Sequence, residues 1–117
     1  MIDTSQWTRE NLAWAAGFLD GEGSFTVEAS KNPINSIRIT CGQNHPELLY
    51  RLQRVFGCGT VRKQTTRDFY IWRISQRHLV FFIGQSVYEW MSIKRKAEID
   101  KQHMVYVSAP ERRNYKW

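Results

Sequence analysis

Cysteine, proline, acid and long apolar runs are all scarce in this chain of 117 residues. The two cysteines, Cys41 and Cys58, form no C-x-x-C pair. They and His45 lack zinc-site spacing, so neither a disulfide framework nor a thiolate metal site is indicated. No apolar run approaches the length of a membrane span. The chain does not open with a basic-then-apolar leader, so an intracellular protein with no membrane partner is expected. No glycine-rich loop carries the lysine of a phosphate-binding P-loop. Acids are the minority charge: 11 Asp and Glu stand against 17 Lys and Arg, for a net charge of +6 and a pI near 9.6. That balance suits an anionic polymer or a merely basic soluble surface, and charge alone does not choose between them.

The charge is unevenly spread. Residues 1–23 carry one base and four acids, residues 24–93 nine bases and four acids, and residues 94–117 seven bases and three acids. An acidic beginning followed by a basic body suits an anionic partner with a cation held near it. Hydrophobic residues make up 42% and aromatics 14%, enough for one domain with a real core, taken as residues 1–117.

The strongest pattern is Leu12 to Phe25. It begins as a small, apolar helix and ends in two acids separated by glycines. Thr8 is placed to cap this helix, Glu10 suits its first turn, and Trp7 is placed to staple onto it. Ala13, Ala16 and Gly17 share one helical face with Asp20, and a face of Ala and Gly lets another backbone come close. Leu12, Ala15 and Leu19 line a neighbouring face. Gly21 predicts the helix stop through a left-handed cap, with Glu22 just beyond.

Strand alternation then begins. Phe25, Val27 and Ala29 point one way; Ser24, Thr26, Glu28 and Ser30 point the other. A turn over residues 31–35 leads to a second strand with Ile37, Ile39 and Cys41 inward and Ser36, Arg38 and Thr40 outward. A second helix starts around Pro46, with Leu48, Leu49, Leu52, Val55 and Phe56 as its stripe and Gly57 and Gly59 after it. Thr60, Arg62 and Gln64 alternate with Val61, and Phe69, Ile71 and Arg73 with Tyr70, Trp72 and Ile74. Trp72 and Tyr70 read as core. A third helix over 76–90 turns Leu79, Phe82, Ile83 and Val87 inward, with Gly84 weakening its middle. Ser92 caps a fourth helix carrying Ile93, Ala97, Ile99 and Met104. Residues 110–117 read as a basic tail without periodicity.

The predicted order is α-β-β-α-β-β-α-α: an α+β fold with a four-stranded antiparallel sheet, helices on one face and the other face wet. That wet face carries Ser24, Thr26, Glu28, Ser30, Ser36, Arg38, Thr40, Arg62, Gln64 and Arg73. A curved antiparallel sheet can enter the major groove of DNA, where Arg38, Arg62 and Arg73 suit guanine and Gln64 suits adenine. Lys31, Lys63, Arg67 and Lys96 would contact phosphates at the rim. Glu22, near a helix end at the edge of this face, can hold a hard divalent cation by oxygen.

The run Ala15 to Gly23, followed by Ser24 and Phe25, resembles the motif of the LAGLIDADG homing endonucleases position by position. Ala16, Gly17, Asp20 and Gly23 match that nine-letter name outright. The resemblance covers nearly the whole chain and implies the same topology. It further implies a site-specific nuclease that makes a Mg²⁺-dependent double-strand cut, leaving a four-base 3′ overhang. It assigns Glu22 to the metal, Gln43 to positioning solvent, and Lys94 to the active site beside the last core helix. Asp20 takes a structural role in the helix pair. With one motif copy, both strands are cut by a homodimer whose interface holds Ala13, Ala16, Gly17 and Asp20, on a long near-palindromic target. A mobile intron is the expected coding element. Relatives also serve as intron RNA maturases, and an inactive DNA-binding protein of the same fold is the third alternative.

Overall fold

The computed structural model describes residues 3–28 and 36–108. The predicted Ala29 and Ser30 strand end, the turn over 31–35 with Lys31, and the basic tail lie outside them. Helix α1 spans Arg9–Glu22, strand β1 Gly23–Glu28, β2 Ser36–Gln43, α2 Glu47–Phe56, β3 Thr60–Lys63, β4 Tyr70–Ile74, α3 Arg77–Val87 and α4 Ile93–Ser108. A short 3-10 turn, Tyr88–Trp90, separates the last two helices, so α3 ends earlier than its periodicity predicts. The element order and the α+β class agree with expectation. No helix among the described residues is long and apolar enough to cross a membrane.

The sheet order is β1-β2-β4-β3, every pair antiparallel. Alternation makes the sheet two-faced. Phe25, Ile37, Ile39, Cys41, Trp72 and Ile74 are buried beneath the helices. Trp72 is wholly buried and donates its indole N–H to the Cys58 carbonyl at 3.1 Å, so the largest core side chain leaves no polar atom unmet. Gly57 (φ 71°) and Gly59 (φ 94°) turn the chain sharply between α2 and β3. The first also donates to the Gln53 carbonyl at 2.8 Å and closes the helix.

The starts of α1 and α4 follow local chemistry. Asn11 N–H donates to the Thr8 hydroxyl at 3.2 Å, and Arg95 N–H donates to the Ser92 hydroxyl at 3.3 Å. Trp7 reaches past α1: its indole donates to the Phe56 carbonyl at 3.1 Å and its ring meets Phe56 edge-on. It pins the entry of the chain to α2.

Several apolar residues named on the helices are not buried, Phe82 among them, which periodicity had turned inward. Leu48, Phe82, Ile93, Ala97 and Met104 are exposed. Helical periodicity marks an apolar stripe without marking its edges, and these residues sit at the edge of theirs or at an open helix end. α4 buries Ile99 and a polar residue, Gln102. Gln102 donates to the backbone carbonyls of Thr26 at 2.9 Å and Arg38 at 2.8 Å, clamping the helix to β1 and β2. A methyl group at Gly84 would lie 3.2 Å from Ile99, so this glycine brings α3 against α4.

Candidate active site and nucleic-acid interface

The motif folds differently from expectation at its end. Gly21 does not stop α1; its φ is not positive, and the helix runs through Glu22. Gly23 closes it with extended backbone, donating its N–H to the Leu19 carbonyl. A Cβ on Gly23 would sit 2.8 Å from that carbonyl oxygen and 2.9 Å from a Leu19 methyl, so only glycine fits where helix becomes strand. Glu22 is therefore the last helical residue. A carboxylate there faces the negative end of the helix dipole, a placement unfavourable by about 0.3–1 kcal/mol that a cation would relieve.

The two motif acids face different partners. Asp20 Oδ1 accepts from the Ser92 backbone N–H at 2.9 Å, at the start of α4. That bond, with Arg95 nearby, holds the Asp20 carboxyl below the usual range. Glu22 is exposed, and its bond is to a neutral group: Gln43 Nε2 donates to Glu22 Oε1 at 3.1 Å. The same Nε2 donates to the Gly42 carbonyl at 2.9 Å, which fixes the amide. The fold thus brings Glu22 and Gln43 together from the ends of α1 and β2. Lys94 lies exposed in the first turn of α4 with no ion pair among the described residues, and no bond joins it to Glu22. Cys41 lies beneath this corner, its thiol pushed up to about 12 by burial first and by the Glu22 charge second.

Among the described residues no three His, Cys, Asp or Glu side chains cluster as a metal cage. One exposed carboxylate without a protein cation on it fits a hard ion such as Mg²⁺, which keeps several waters and takes phosphate oxygens. It does not fit Zn²⁺, which takes three or four close protein ligands.

Two residues absent from the sequence reading support this corner. Arg95 Nε donates to the Asp20 carbonyl at 3.0 Å, and its Nη1 donates to both Glu98 oxygens at 3.1 Å. Glu98 Oε1 in turn accepts the Phe25 backbone N–H at 3.3 Å. Nothing in the sequence marks these residues apart from their i,i+3 charge pairing.

The wet face of the sheet forms cross-strand rows set by register. Ser24 faces Thr40, Thr40 faces Arg73, and Arg73 faces Thr60. Gly42 faces Ile71, which faces Arg62, and Thr26 faces Arg38. Arg62 and Arg73 are exposed and make no ion pair among the described residues. They and Gln64, just past β3, line a groove of about 660 Å³. Arg38 is otherwise: it pairs with Glu28 and its side chain is 25% exposed. It is not a free probe, because Glu28 lies beside it across β1 and β2. Lys63 is likewise paired, with Asp68 at 3.2 Å. The aromatic rings hold two other rim cations, Arg67 over Phe69 and Lys96 over Tyr88.

The outward stripe of α1 also needs correction. Ala16 is wholly buried in the chain's own core with Ala15 and Leu19, so it is not part of an outer face. Gly17 and Gly21 are exposed with open space around them, and Ala13 is half-exposed. The open small-residue stripe is thus Ala13, Gly17 and Gly21, at i, i+4 and i+8. Trp14 and Phe18 flank it, stacked at 5.4 Å, with the Arg51 guanidinium 3.9 Å above Trp14.

A family model described as LAGLIDADG endonuclease matches residues 15–100. No curated protein sequence matches the chain significantly. Among solved structures, the homing endonuclease I-CvuI, in complex with the I-CreI target and 2 mM Mg with the DNA not cleaved, superposes with a TM-score of 0.72 at 21% identity, over 83% of this chain and 66% of that one. The group I intron-encoded homing endonuclease I-CeuI, complexed with DNA, gives 0.70 at 20% identity, over 92% of this chain and 59% of that one. The homing endonuclease I-TnaI gives 0.62 at 30% identity, over 79% and 68%. The chain thus spans about two thirds of the length of these proteins or less.

Proposed function

Because the chain belongs to the LAGLIDADG endonuclease family, we propose that it is a site-specific DNA endonuclease, acting as a homodimer with Mg²⁺ held at Glu22. The observation that carries this reading is the Glu22–Gln43 pair, placed at the C-terminal end of α1 beside a sheet face with two exposed arginines, Arg62 and Arg73. Two of these solved structures, I-CvuI and I-CeuI, are complexes with DNA, which supports double-stranded DNA as the partner. The coding element is read as a mobile intron.

The residues divide the chemistry. The exposed Glu22 carboxylate offers hard oxygen ligands, and the neutral Gln43 partner leaves its charge uncompensated for a cation. When bound, that cation supplies Lewis-acid stabilisation of charge on the scissile phosphate. Gln43 Nε2 is spent on Glu22 and Gly42, so its Oε1 is left to accept from a water and aim it at phosphorus. Lys94 supplies a mobile cation from the start of α4 to offset phosphate charge. Arg62, Arg73 and Gln64 read base edges in the major groove, while Ser24, Thr26 and Thr40 extend the polar rows beside them. Arg38 and Glu28 enter as a joined pair, neutral together, which lowers their share of the affinity.

One carboxylate per chain cannot serve two strands. A second copy packed on the Ala13, Gly17 and Gly21 stripe would bring a second Glu22 beside the first, with Asp20 holding each α4 in place behind it. Twofold symmetry then calls for a near-palindromic target.

The test is cleavage of a plasmid carrying the uninterrupted insertion locus of the coding element, in Mg²⁺ and again in Ca²⁺. Linear product in Mg²⁺ alone is expected. Tight DNA binding without cutting in Mg²⁺ would overturn the nuclease reading, and tight binding of the intron RNA in its place would establish a maturase.

A further inference from the structure

Glu22 lies between two backbone groups that are both tied to one turn of α4. On one side is the Asp20 carbonyl, among the last of α1 and without a helical partner of its own. Arg95 Nε donates to it at 3.0 Å. On the other side is the Phe25 N–H. β1 is an edge strand, and this N–H is met by Glu98 Oε1 at 3.3 Å. Arg95 Nη1 joins the two, bonded to both Glu98 oxygens at 3.1 Å. The Arg95 and Glu98 side chains are only 14% and 26% exposed.

We infer that the Arg95–Glu98 pair is the positioning element of the Glu22–Gln43 site. The inference rests on the reading of Glu22 as the cation ligand. The pair touches neither substrate nor reacting atoms. It fixes the helix-to-strand junction from which Glu22 projects, while Gln43 arrives independently on β2. Without it the two side chains would meet only as often as the junction happened to be in register.

Two arguments favour positioning over plain stability. A half-buried ion pair contributes little net stability relative to apolar residues of the same shape, so geometry is what it adds. Its members also bond to backbone on either side of one functional side chain, the arrangement that orients metal ligands from behind. The Arg95 guanidinium is bonded to Glu98 and lies near Asp20, and neither member of the pair is bonded to Glu22 among the described residues.

The experiment compares the parent with Glu98→Gln and Arg95→Gln. Its first readout is the NMR signal of the Gln43 side-chain amide in metal-free protein, its second the cleavage rate, and its third DNA affinity in Ca²⁺. Both variants are expected to remain folded and to lose the distinct Gln43 amide shifts. Cleavage should fall about 10- to 100-fold, while DNA affinity stays within about threefold. Unchanged Gln43 shifts in a folded variant would overturn the inference. Loss of the folded state in both variants would overturn it too, by making the pair a stability element. A parent that cuts no DNA would remove the nuclease reading, yet the Gln43 signal would still decide the positioning role.

Discussion

The corner holding Glu22 and the wet face of the sheet are built by opposite means. At the corner, side chains from α1, β2 and α4 are locked by bonds that span the chain: Gln43 to Glu22, Ser92 to Asp20, Arg95 to Asp20 and Glu98. On the sheet, Arg62 and Arg73 stand exposed, without an ion pair among the described residues, on a scaffold whose order comes from strand alternation and register. Chemistry needs one geometry, and bonded neighbours restrict it. Reading many bases needs several probes at even spacing, and a sheet supplies that without fixing each tip. Under the proposed function, the rigid corner would serve cutting and the open face recognition.

The contrast can be broken most sharply at Glu22. Glu22→Gln should reduce cleavage in Mg²⁺ by about 10²–10³-fold or more, leaving DNA affinity in Ca²⁺ near the parental value. Plasmid linearisation and gel-shift titration measure the two. Cleavage within about tenfold of the parent would remove Glu22 from the metal site.

A second substitution tests the α1 stripe against the core behind it. Gly17→Arg meets open space, so the single chain should fold as well or gain up to about 1 kcal/mol of helix stability. The second copy should be excluded and cleavage lost. Ala16→Arg on the buried side should instead prevent folding, since it places an unpaired charge in the core. Sedimentation velocity and thermal melting distinguish these outcomes. A dimer that persists in Gly17→Arg would place the interface elsewhere.

On the open face, Arg73→Ala should weaken target binding by about 1–3 kcal/mol and relax the preference at one base position. Arg38→Ala should cost less, under about 1 kcal/mol, because Glu28 already neutralises it. Binding to single-base variants of the target ranks the two; equal losses would mean that the Glu28 pair opens on DNA.

The smallest effect is a pH dependence at the corner. Asp20 is held below its ordinary pKa mainly by the Ser92 hydrogen bond. A lowered folded pKa means stability that is complete above the unfolded value, near 4, and lost as pH falls through the folded one. The parent should therefore lose thermal stability below about pH 4 more steeply than Asp20→Asn, by a margin read from melting curves at pH 3 and pH 6. Parallel curves would show that the capping bond adds nothing.

Much of this was legible beforehand because the signals are local. Alternation in β1, β2 and β4 placed Phe25, Ile37, Ile39 and Trp72 inward and Thr26, Arg38 and Arg73 outward. Thr8 and Ser92 named their caps from residue type alone. What failed was whatever depended on a neighbour distant in sequence. Gly21 has the composition of a helix stop, but the stop is decided by Gly23, packed against Leu19. Ala16 and Gly17 look alike on a helical wheel, and only packing separates the buried one from the open one. Arg38 and Lys63 read as free cations until the register and the turn set Glu28 and Asp68 beside them. Arg95 and Glu98 look like ordinary surface charges of a helix start, because their partners lie on α1 and β1.

Residue order by itself thus determined the element types, the two faces of the sheet, the family motif and the identity of Glu22 as the carboxylate at its end. Those follow from backbone preferences and periodicity, which act over a few residues. Tertiary structure alone decided that Gln43 meets Glu22, that Asp20 is turned toward α4, which arginines stay free and which small residues face outward. Each of those is a contact between segments that the sequence keeps far apart, and it exists only once the core has closed and brought them within bonding distance.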